Sequence, residues 1–466
     1  MKIRERFVRW LHMVINKVFP ETASEYESMD SAIDEWLKLY YDEPSWKDEV
    51  HRNTLNLPAG ISAEFARLVM IENEINITGS KRADYIQKQM KRLTKSEKLQ
   101  INIEEGCALG SVLFKPYVSR GRVLIDCITP ENFRPIQFTD DELTGVVCFS
   151  RITKGKYYYC RVEKQIYDPD SGTHTVTSKF YMSRDPSSIG DEISADRFPI
   201  SIVGDYMIHN VERPLFAFWR VPRANTVDKE SPLGMSVYAP AITKIKAADR
   251  QWDMFLWEYE GGELAVDVDE RCVRPYLDEK GNEQAIIPKG KERLFRRLRG
   301  ISASEEPLYK VFAPELRDSA YGRGLDKILK QIEFSVGLSY GSISDPQNVD
   351  KTAEEIKSSK YRSFGFVSRM QDTLQIALEN LIYAIDQYAS ACNLAPAGIY
   401  EVQWNWGDGI LEDNEKETQI RLQEVNAGIV KPEKYLMWRD GCTEDQALEM
   451  MPDKSGFSDY FSGGGS

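Results

Sequence analysis

The longest apolar-periodic stretch of the chain runs from about Ala353 to Ala391. Val367, Met370, Leu374, Leu378, Leu381, Ile385 and Tyr388 recur there at intervals of three or four. That period belongs to an α-helix, and at about 1.5 Å per residue the segment spans about 58 Å. Such a length exceeds the three or four turns usual in globular domains, so the segment reads as a scaffold on which other elements pack. A second periodic stretch precedes it, from about Leu316 to Ser344, with Leu325, Ile328, Leu329, Ile332 and Val336 on one face. Between the two lies SDPQNVDK. Asp345 precedes Pro346, which pushes its backbone out of the α region. Asn348 and Asp350 favour turns because their side chains bond their own backbone. Thr352, with Glu355 three residues on, makes the capping box that restarts the helix. The sequence thus predicts helix, short polar loop and very long helix, with no strand between.

A third helix is predicted upstream, in SPLGMSVYAPAITKIKAADRQWDMFLWEYEGG. Ala241, Ile245, Ala248, Trp252, Phe255 and Tyr259 form one apolar stripe, and Gly261-Gly262 closes it. Residues 263–315 then form a compact insert between helices. ELAVDVD and QAIIPKG read as short strands, KERLFRRLRG as a short basic helix, and PLYKVFAPE as the way out. Toward the N-terminus, 24–100 is helical and charged in pattern throughout, AEFARLVMIENEINI included. From Gly110 to Tyr181 short β-rich runs alternate with turn clusters such as DPDSGT, the signature of an antiparallel meander. Beyond the long helix, YEVQWNW reads as a strand, followed by two smaller helical segments and a flexible SGGGS tail. The class is α+β, and at about 150 residues per unit the 466 residues correspond to about three units.

Charge narrows the function. A net charge of −13 argues against a general nucleic-acid gripper, because sequence-independent affinity for DNA comes from Lys and Arg neutralising phosphates. The seven cysteines are scattered without a C-x-x-C and only four histidines occur, so neither a disulfide framework nor a metal site is expected, and the thiols read as reduced and mostly buried, as in a cytosolic compartment. No cofactor is implied. The segment MKIRERFVRWLHMVINKVF carries too many charges for a signal peptide. Phe7, Val8, Leu11, Ile15 and Val18 instead give a basic amphipathic helix, which either docks on its own protein or lies on a membrane or partner. No apolar run is long enough to span a bilayer. G-x-x-x-x-G-K-[ST], G-x-S-x-G and H-E-x-x-H are all absent, and no catalytic residue is nominated. The acidic clusters DVDE and LEDNEKE read as solvated surfaces. They are also the only feature that would serve the alternative of a metal-dependent DNA-processing enzyme with paired carboxylates.

Several segments, in order, resemble the portal proteins of tailed bacteriophages. PLFAFWRVPRANTVDKESPLGMSVYAPAITKIKAADRQWDMFLWEYEGG resembles the approach to the first stem helix of that family. LFRRL, VFAPELRDSAYGRGLDKILKQIEFSVGLSYGSIS and DKTAEEIKSSKYRSFGFVSRMQDTLQIALENLIYAI are similar to its clip exit, second stem helix, tunnel loop and long helix. ITPENFRPIQFTDDELTGVVCFSR with YYYCRVEKQIYD resembles its wing strands, and VQWNWGDGILEDNEKETQIRLQEVNAGIVKPEKYLMWRDGCTEDQALEMM its crown. One departure lies at the loop-to-helix junction, often K-T-A-T-E, which here is Lys351-Thr352-Ala353-Glu354-Glu355 with the capping residues kept.

The resemblance implies a portal fold divided as follows. Residues 1–232 form an N-terminal helical region and a mixed wing with antiparallel strands. Residues 233–262 and 316–343 are the two stem helices, 263–315 the clip, 344–352 the tunnel loop, 353–391 the long wing/crown helix, and 392–466 a mostly helical crown and flexible tail. It implies a homo-oligomeric ring, normally of twelve subunits, at one capsid vertex of the virion and assembled in the host cytoplasm. Its partners would be double-stranded DNA in the channel, the packaging terminase, a neck/adaptor protein, and the major capsid and scaffolding proteins. Asp345, Pro346, Gln347, Asn348, Val349, Asp350 and Lys351 are the DNA-facing tunnel loop in that picture, a plain interhelical turn without DNA contact being the alternative. The basic run Lys289, Lys291, Arg293, Arg296, Arg297 and Arg299 of the clip has two readings. It binds acidic partner surfaces or DNA at the channel mouth, or it is a solvated helix face pairing with neighbouring subunits. Twelve copies would carry on the order of −160 in total, a field that disfavours DNA sticking, so the lumen is expected to be acidic or neutral.

Overall fold

The computed structural model describes residues 14–15, 18–19, 27–47, 53–71, 73–94, 98–139, 142–200, 204–262, 265–269, 295–298, 309–345, 353–406, 421–440 and 447–448. They fall into two compact units, Met1–Gly407 and Asp408–Ser466, and the fold is α+β as the sequence predicts.

In the first unit, helices α1 (Glu27–Tyr40) and α2 (Leu57–Met70) precede strand β1 (Glu74–Thr78). Helices α3 (Lys81–Thr94) and α4 (Lys98–Leu109) follow. The strand corrects the all-helical reading of 24–100. Within EINIT, Ile75 and Ile77 are buried and the flanking residues less so, a period of two. Its partner lies far away: β1 pairs antiparallel with β14 (Glu401–Asn405), Ile75 opposite Trp404 and Ile77 opposite Val402.

The β-rich region is an antiparallel meander. Strands β2 (Ser111–Ser119) and β3 (Arg122–Ile128) form a hairpin, with β10 (Ala217–Arg220) on the other edge of β2. Strands β4 (Phe133–Thr139), β5 (Glu142–Lys154), β6 (Tyr157–Asp168), β7 (Thr173–Ser183) and β8 (Asp191–Ile193) pair in sequence order, and β9 (Tyr206–His209) also pairs with β7. Beyond β10 the chain passes close to the start of β2, where two glycines face each other. A Cβ on Gly110, which has φ +88°, would meet the Gly234 carbonyl oxygen at 2.2 Å, and a Cβ on Gly234 would meet that of Gly110 at 2.1 Å. Only residues without side chains permit this approach.

A continuous core gathers α1 to α4, the β10-β2-β3 sheet and the long helix α7 (Ala353–Ala391), whose bounds match the sequence expectation. Trp219 is fully buried there and donates its Nε1–H to Thr373 Oγ1 of α7 at 3.2 Å. Arg82 of α3 is buried against the end of α7, donating to the Asp386 and Pro396 carbonyls. One face of the larger sheet, Val147, Phe149, Cys160, Val162 and Tyr181, is covered by Val14, Ile15, Val18 and Phe19 of the chain's own N-terminal segment. Lys164 and Lys179 flank the Phe19 ring, and Lys179 Nζ donates to the Val18 carbonyl at 3.1 Å. Of the amphipathic stripe read from the sequence, Ile15 and Val18 thus dock on this protein.

The stripe helix is α5 (Ile242–Gly261), ended at Gly262 as expected. The 263–315 insert holds β11 (Ala265–Asp269), β12 (Phe295–Leu298) and β13 (Tyr309–Phe312), ordered β12-β11-β13. Here the expected basic helix is corrected, for FRRL lies in a strand paired parallel to β11, Asp267 opposite Arg296 and Val268 opposite Arg297. Short isolated helices are marginal, and cross-strand pairing overrides the local propensity. Helix α6 is Asp318–Val336. In the second unit, a helical turn over 421–426 precedes α8 (Pro432–Asp440), and the Arg421 guanidinium stacks 4.2 Å from the Trp438 ring centroid.

Candidate functional site

Helices α5 and α6 pair antiparallel. At one end, the Arg317 backbone N–H and Nε donate to Glu258 Oε1 at 3.0 and 3.1 Å, and Arg317 Nη2 donates to Oε2 at 2.7 Å. These bonds hold the Glu258 carboxyl below the usual carboxylate range. Higher up, Gln251 Nε2 reaches the Tyr321 carbonyl. On α5, Asp249 accepts from Trp46 Nε1 at 3.0 Å and from the Leu55 N–H at 2.9 Å. Burial pushes its carboxyl up, and those two bonds only partly offset that.

The apolar stripes of both helices are buried unevenly. Ala241, just before α5, and Ile245 and Ala248 on it lie in the core, whereas Tyr259 is exposed and Trp257 is 69% exposed. On α6, Ile332 and Val336 are fully buried, and Leu325, Ile328 and Leu329 only partly. Trp252 stacks on Phe255, and Phe255 meets Tyr259 edge-on, so an aromatic ladder continues along α5 past the core.

The far end of α6 differs most from the sequence reading. The helix was expected to run to about Ser344 and stop at the Asp345-Pro346 pair. It ends at Val336, because Gly337 adopts φ +90° and the Gly337 and Leu338 amides both bond the Glu333 carbonyl at 3.0 Å. Left-handed glycine is the common helix terminator. The chain then turns back on the helix it has just left. Glu333, wholly buried, accepts at Oε1 from the amides of Gly341 (3.1 Å), Ile343 (2.8 Å) and Ser344 (2.9 Å), and at Oε2 from the Ser344 hydroxyl (2.9 Å). All four are donors, which suits an acceptor-only carboxylate. The Asp345 amide donates to Asp326 Oδ1 at 3.1 Å, and Lys330 Nζ pairs with Asp326 Oδ2 at 2.6 Å. Asp326 lies ten positions before Val336, about 15 Å back along the axis.

A guanidinium closes the same end from outside. Arg223 Nη2 donates to the Val336 carbonyl at 2.7 Å and Nη1 to the Val237 carbonyl at 3.2 Å, and its carbon sits 4.8 Å from the Phe366 ring centroid of α7. Burial and then nearby Arg369 push its pKa down from the ordinary guanidinium value. One side chain thus links the end of α6, the 221–237 segment and the long helix.

Among the nominated tunnel-loop residues, Asp345 is placed as above and is exposed. Pro346, Gln347, Asn348, Val349, Asp350 and Lys351 lie outside the described residues. So do Lys289, Lys291, Arg293 and Arg299, while Arg296 and Arg297 lie on β12, so the helix-face reading falls for those two. Sequence reasoning passed over Glu333, Arg223 and Gly337. Of these, only Gly337, followed by Gly341 four residues later, carried a readable signal.

Among the described residues no group of three or more His, Cys, Asp or Glu is arranged to hold a metal ion, and no helix is long and apolar enough to cross a membrane. Cys107, Cys148 and Cys160 are buried free thiols, Cys127 is partly buried, and Cys392 is exposed.

The chain thus carries a helical pair with a small sheet inserted between its members, a folded-back connection and a long helix, in that order. A family model described as phage portal protein, SPP1 Gp6-like, matches residues 32–454. The chain belongs to this phage portal protein family. Comparison with individual curated proteins gives no match. The match runs from within α1 through α8 and so covers parts of both compact units.

Proposed function

We propose that this portal chain assembles as a closed ring, of twelve copies in the virion, at one vertex of the capsid. Its axial channel passes double-stranded DNA during packaging and ejection. The ring also docks the packaging terminase and later a neck or tail adaptor protein, and contacts the major capsid and scaffolding proteins. The observation that carries this reading is the family match across 32–454.

In this reading α5 and α6 form the stem, residues 263–315 the clip, 344–352 the tunnel loop, α7 the scaffold helix, and 392–466 the crown and tail. The exposed aromatic and apolar residues of the stem, Met254, Trp257 and Phe334 among them, are then surfaces for neighbouring copies. Large apolar side chains left exposed in this number suit an interaction surface. The acidic net charge suits a conduit that must not hold DNA through many phosphate contacts.

Negative-stain microscopy and native mass of the full chain test the reading. Closed rings with a central hole are expected, and a monomer under all assembly conditions would overturn it. A channel surface continuously lined by Lys and Arg would overturn the reading of the charge. The membrane-surface alternative predicts co-sedimentation with liposomes that deletion of 1–19 abolishes. The docking of Val14, Ile15, Val18 and Phe19 on the sheet argues for the opposite result.

A further inference from the structure

We propose that Glu333 is a positioning residue for the connection between α6 and α7. Its carboxylate sets the point from which the segment leading into the tunnel loop departs, beside Asp326 and not beyond the end of α6. The inference rests on the reading that 345–351 face DNA.

The argument begins with what the connecting segment lacks. Between Gly337 and Ser344 the chain carries one fully buried apolar anchor, Leu338, with Ile343 partly buried against the core, and two glycines, Gly337 and Gly341, have positive φ. Glycine-rich backbone has many alternatives to any one path, and a single buried leucine does not choose among them. Glu333 does choose. Three amides and one hydroxyl from three residues, Gly341, Ile343 and Ser344, converge on its two oxygens. The carboxylate is buried, and although the Gly341 amide also reaches Ser344 Oγ at 3.2 Å, the amides of Ile343 and Ser344 would lose their acceptor without it, each at a cost comparable to a lost buried hydrogen bond.

The direction of departure follows from which atoms are held. With Ser344 fastened to Glu333 and the Asp345 amide on Asp326, the chain lies back along α6. Asp326 is in turn held by Lys330. Two acidic residues seven positions apart, about two turns, therefore act as successive guides along one side of the helix. A glutamine at 333 keeps the shape of glutamate but replaces one acceptor by an NH2 donor facing donors. It therefore removes the positioning without removing the packing.

The test uses hydrogen exchange of the assembled full-length protein, together with DNA packaged and retained when the variant replaces the natural chain in particle assembly. Glu333→Gln is expected to form normal rings and to speed exchange at Gly341, Ile343 and Ser344 by about 100-fold. Exchange around Ile245 and Ala248 should stay unchanged. DNA retention should shift in the same direction as with Lys351→Ala, which alters the loop alone. Unchanged exchange at those three amides would overturn the inference. Faster exchange with normal DNA handling, while Lys351→Ala is defective, would overturn it as well. If Lys351→Ala is itself silent, the DNA-facing reading fails, and the exchange result alone decides whether Glu333 positions the segment. Should Glu333→Gln fail to assemble, Ser344→Ala removes the hydroxyl that donates to Glu333 and also accepts from the Gly341 amide, and leaves the three amide bonds to the carboxylate in place. It should give a smaller acceleration at the same amides, and no acceleration would count against the inference.

Discussion

The two ends of the α5–α6 pair are each held by a glutamate, and the two glutamates are held in opposite ways. Glu333 is wholly buried and bonds the backbone of its own following segment. Glu258 bonds Arg317, whose side chain is 70% exposed, next to Tyr259 and Leu316 in the open. Around Glu333 the apolar stripes of both helices are in the core, and around Glu258 they face solvent. One end is completed by the chain itself. The other is left with apolar surface that the proposed ring would cover. The Glu333 end is therefore expected to contribute more to the stability of the single chain, and the Glu258 end more to the proposed contacts between copies, although exposed Phe334 beside Glu333 belongs with the latter.

The largest effects should separate the ends. Ile332→Ala is expected to cost about 2–5 kcal/mol in denaturant unfolding of the dissociated chain, as large-to-small core changes do, whereas Tyr259→Ala should cost under about 1 kcal/mol. Equal losses would break the comparison. Next, Glu333→Ala should cost about 3 kcal/mol, the worth of several buried donors left unpaired and partly rehydrated. A loss no larger than that of Tyr259→Ala would show that solvent readily replaces the carboxylate.

Acidity should act with opposite sign on two carboxylates of α5, Glu258 and Asp249. The Glu258 value is lowered by Arg317, so its contribution is present above the ordinary carboxylate range and is lost as pH falls through the lowered value. The Asp249 value is raised by burial, so its contribution is complete below the ordinary range and declines as pH rises through the raised value. Amide exchange, corrected for its intrinsic pH dependence and followed from about pH 7 to about pH 3, should show protection falling at Arg317 and not at Leu55. Parallel loss at both would refute the assignment. The smallest effect on the subunit is expected from Trp257→Ser. It should change the stability of the isolated chain by less than about 0.5 kcal/mol, yet reduce the fraction of rings seen by native mass. A ring population unaffected by that change would remove the Trp257 face of α5 from the proposed interface.

The parts readable in the sequence are those fixed by sustained local patterns. Helix α7 repeats its apolar period from Val367 to Tyr388, and its observed bounds are the predicted ones. The meander from Ser111 to Ser183 was marked by turn residues between β-branched and aromatic runs. What escaped depends on distant partners. EINIT looks like the continuation of a charged helix until Glu401–Asn405 is placed beside it. FRRL is rich in helix formers and pairs with β11 instead. Glu333 resembles any helix-surface charge, because its partners are backbone amides and no side-chain type announces them. The end of α6 was the exception that composition did signal. Proline after Asp345 drew the boundary too late, and the left-handed Gly337 had already drawn it.

The β1–β14 ribbon has a consequence for how the chain is made. Thr78 must wait for Glu401, and Glu74 for Asn405. At about 5–20 residues per second on the ribosome, roughly 15–65 s separate the emergence of the two strands. Throughout that interval the edge of β1 has no strand beside it, although α3, α4 and the meander have already been synthesised. The nascent chain thus carries an open seam that closes only when most of the polypeptide exists. Fragments released early would keep that seam open, and only nearly complete chains would reach the ring with it shut.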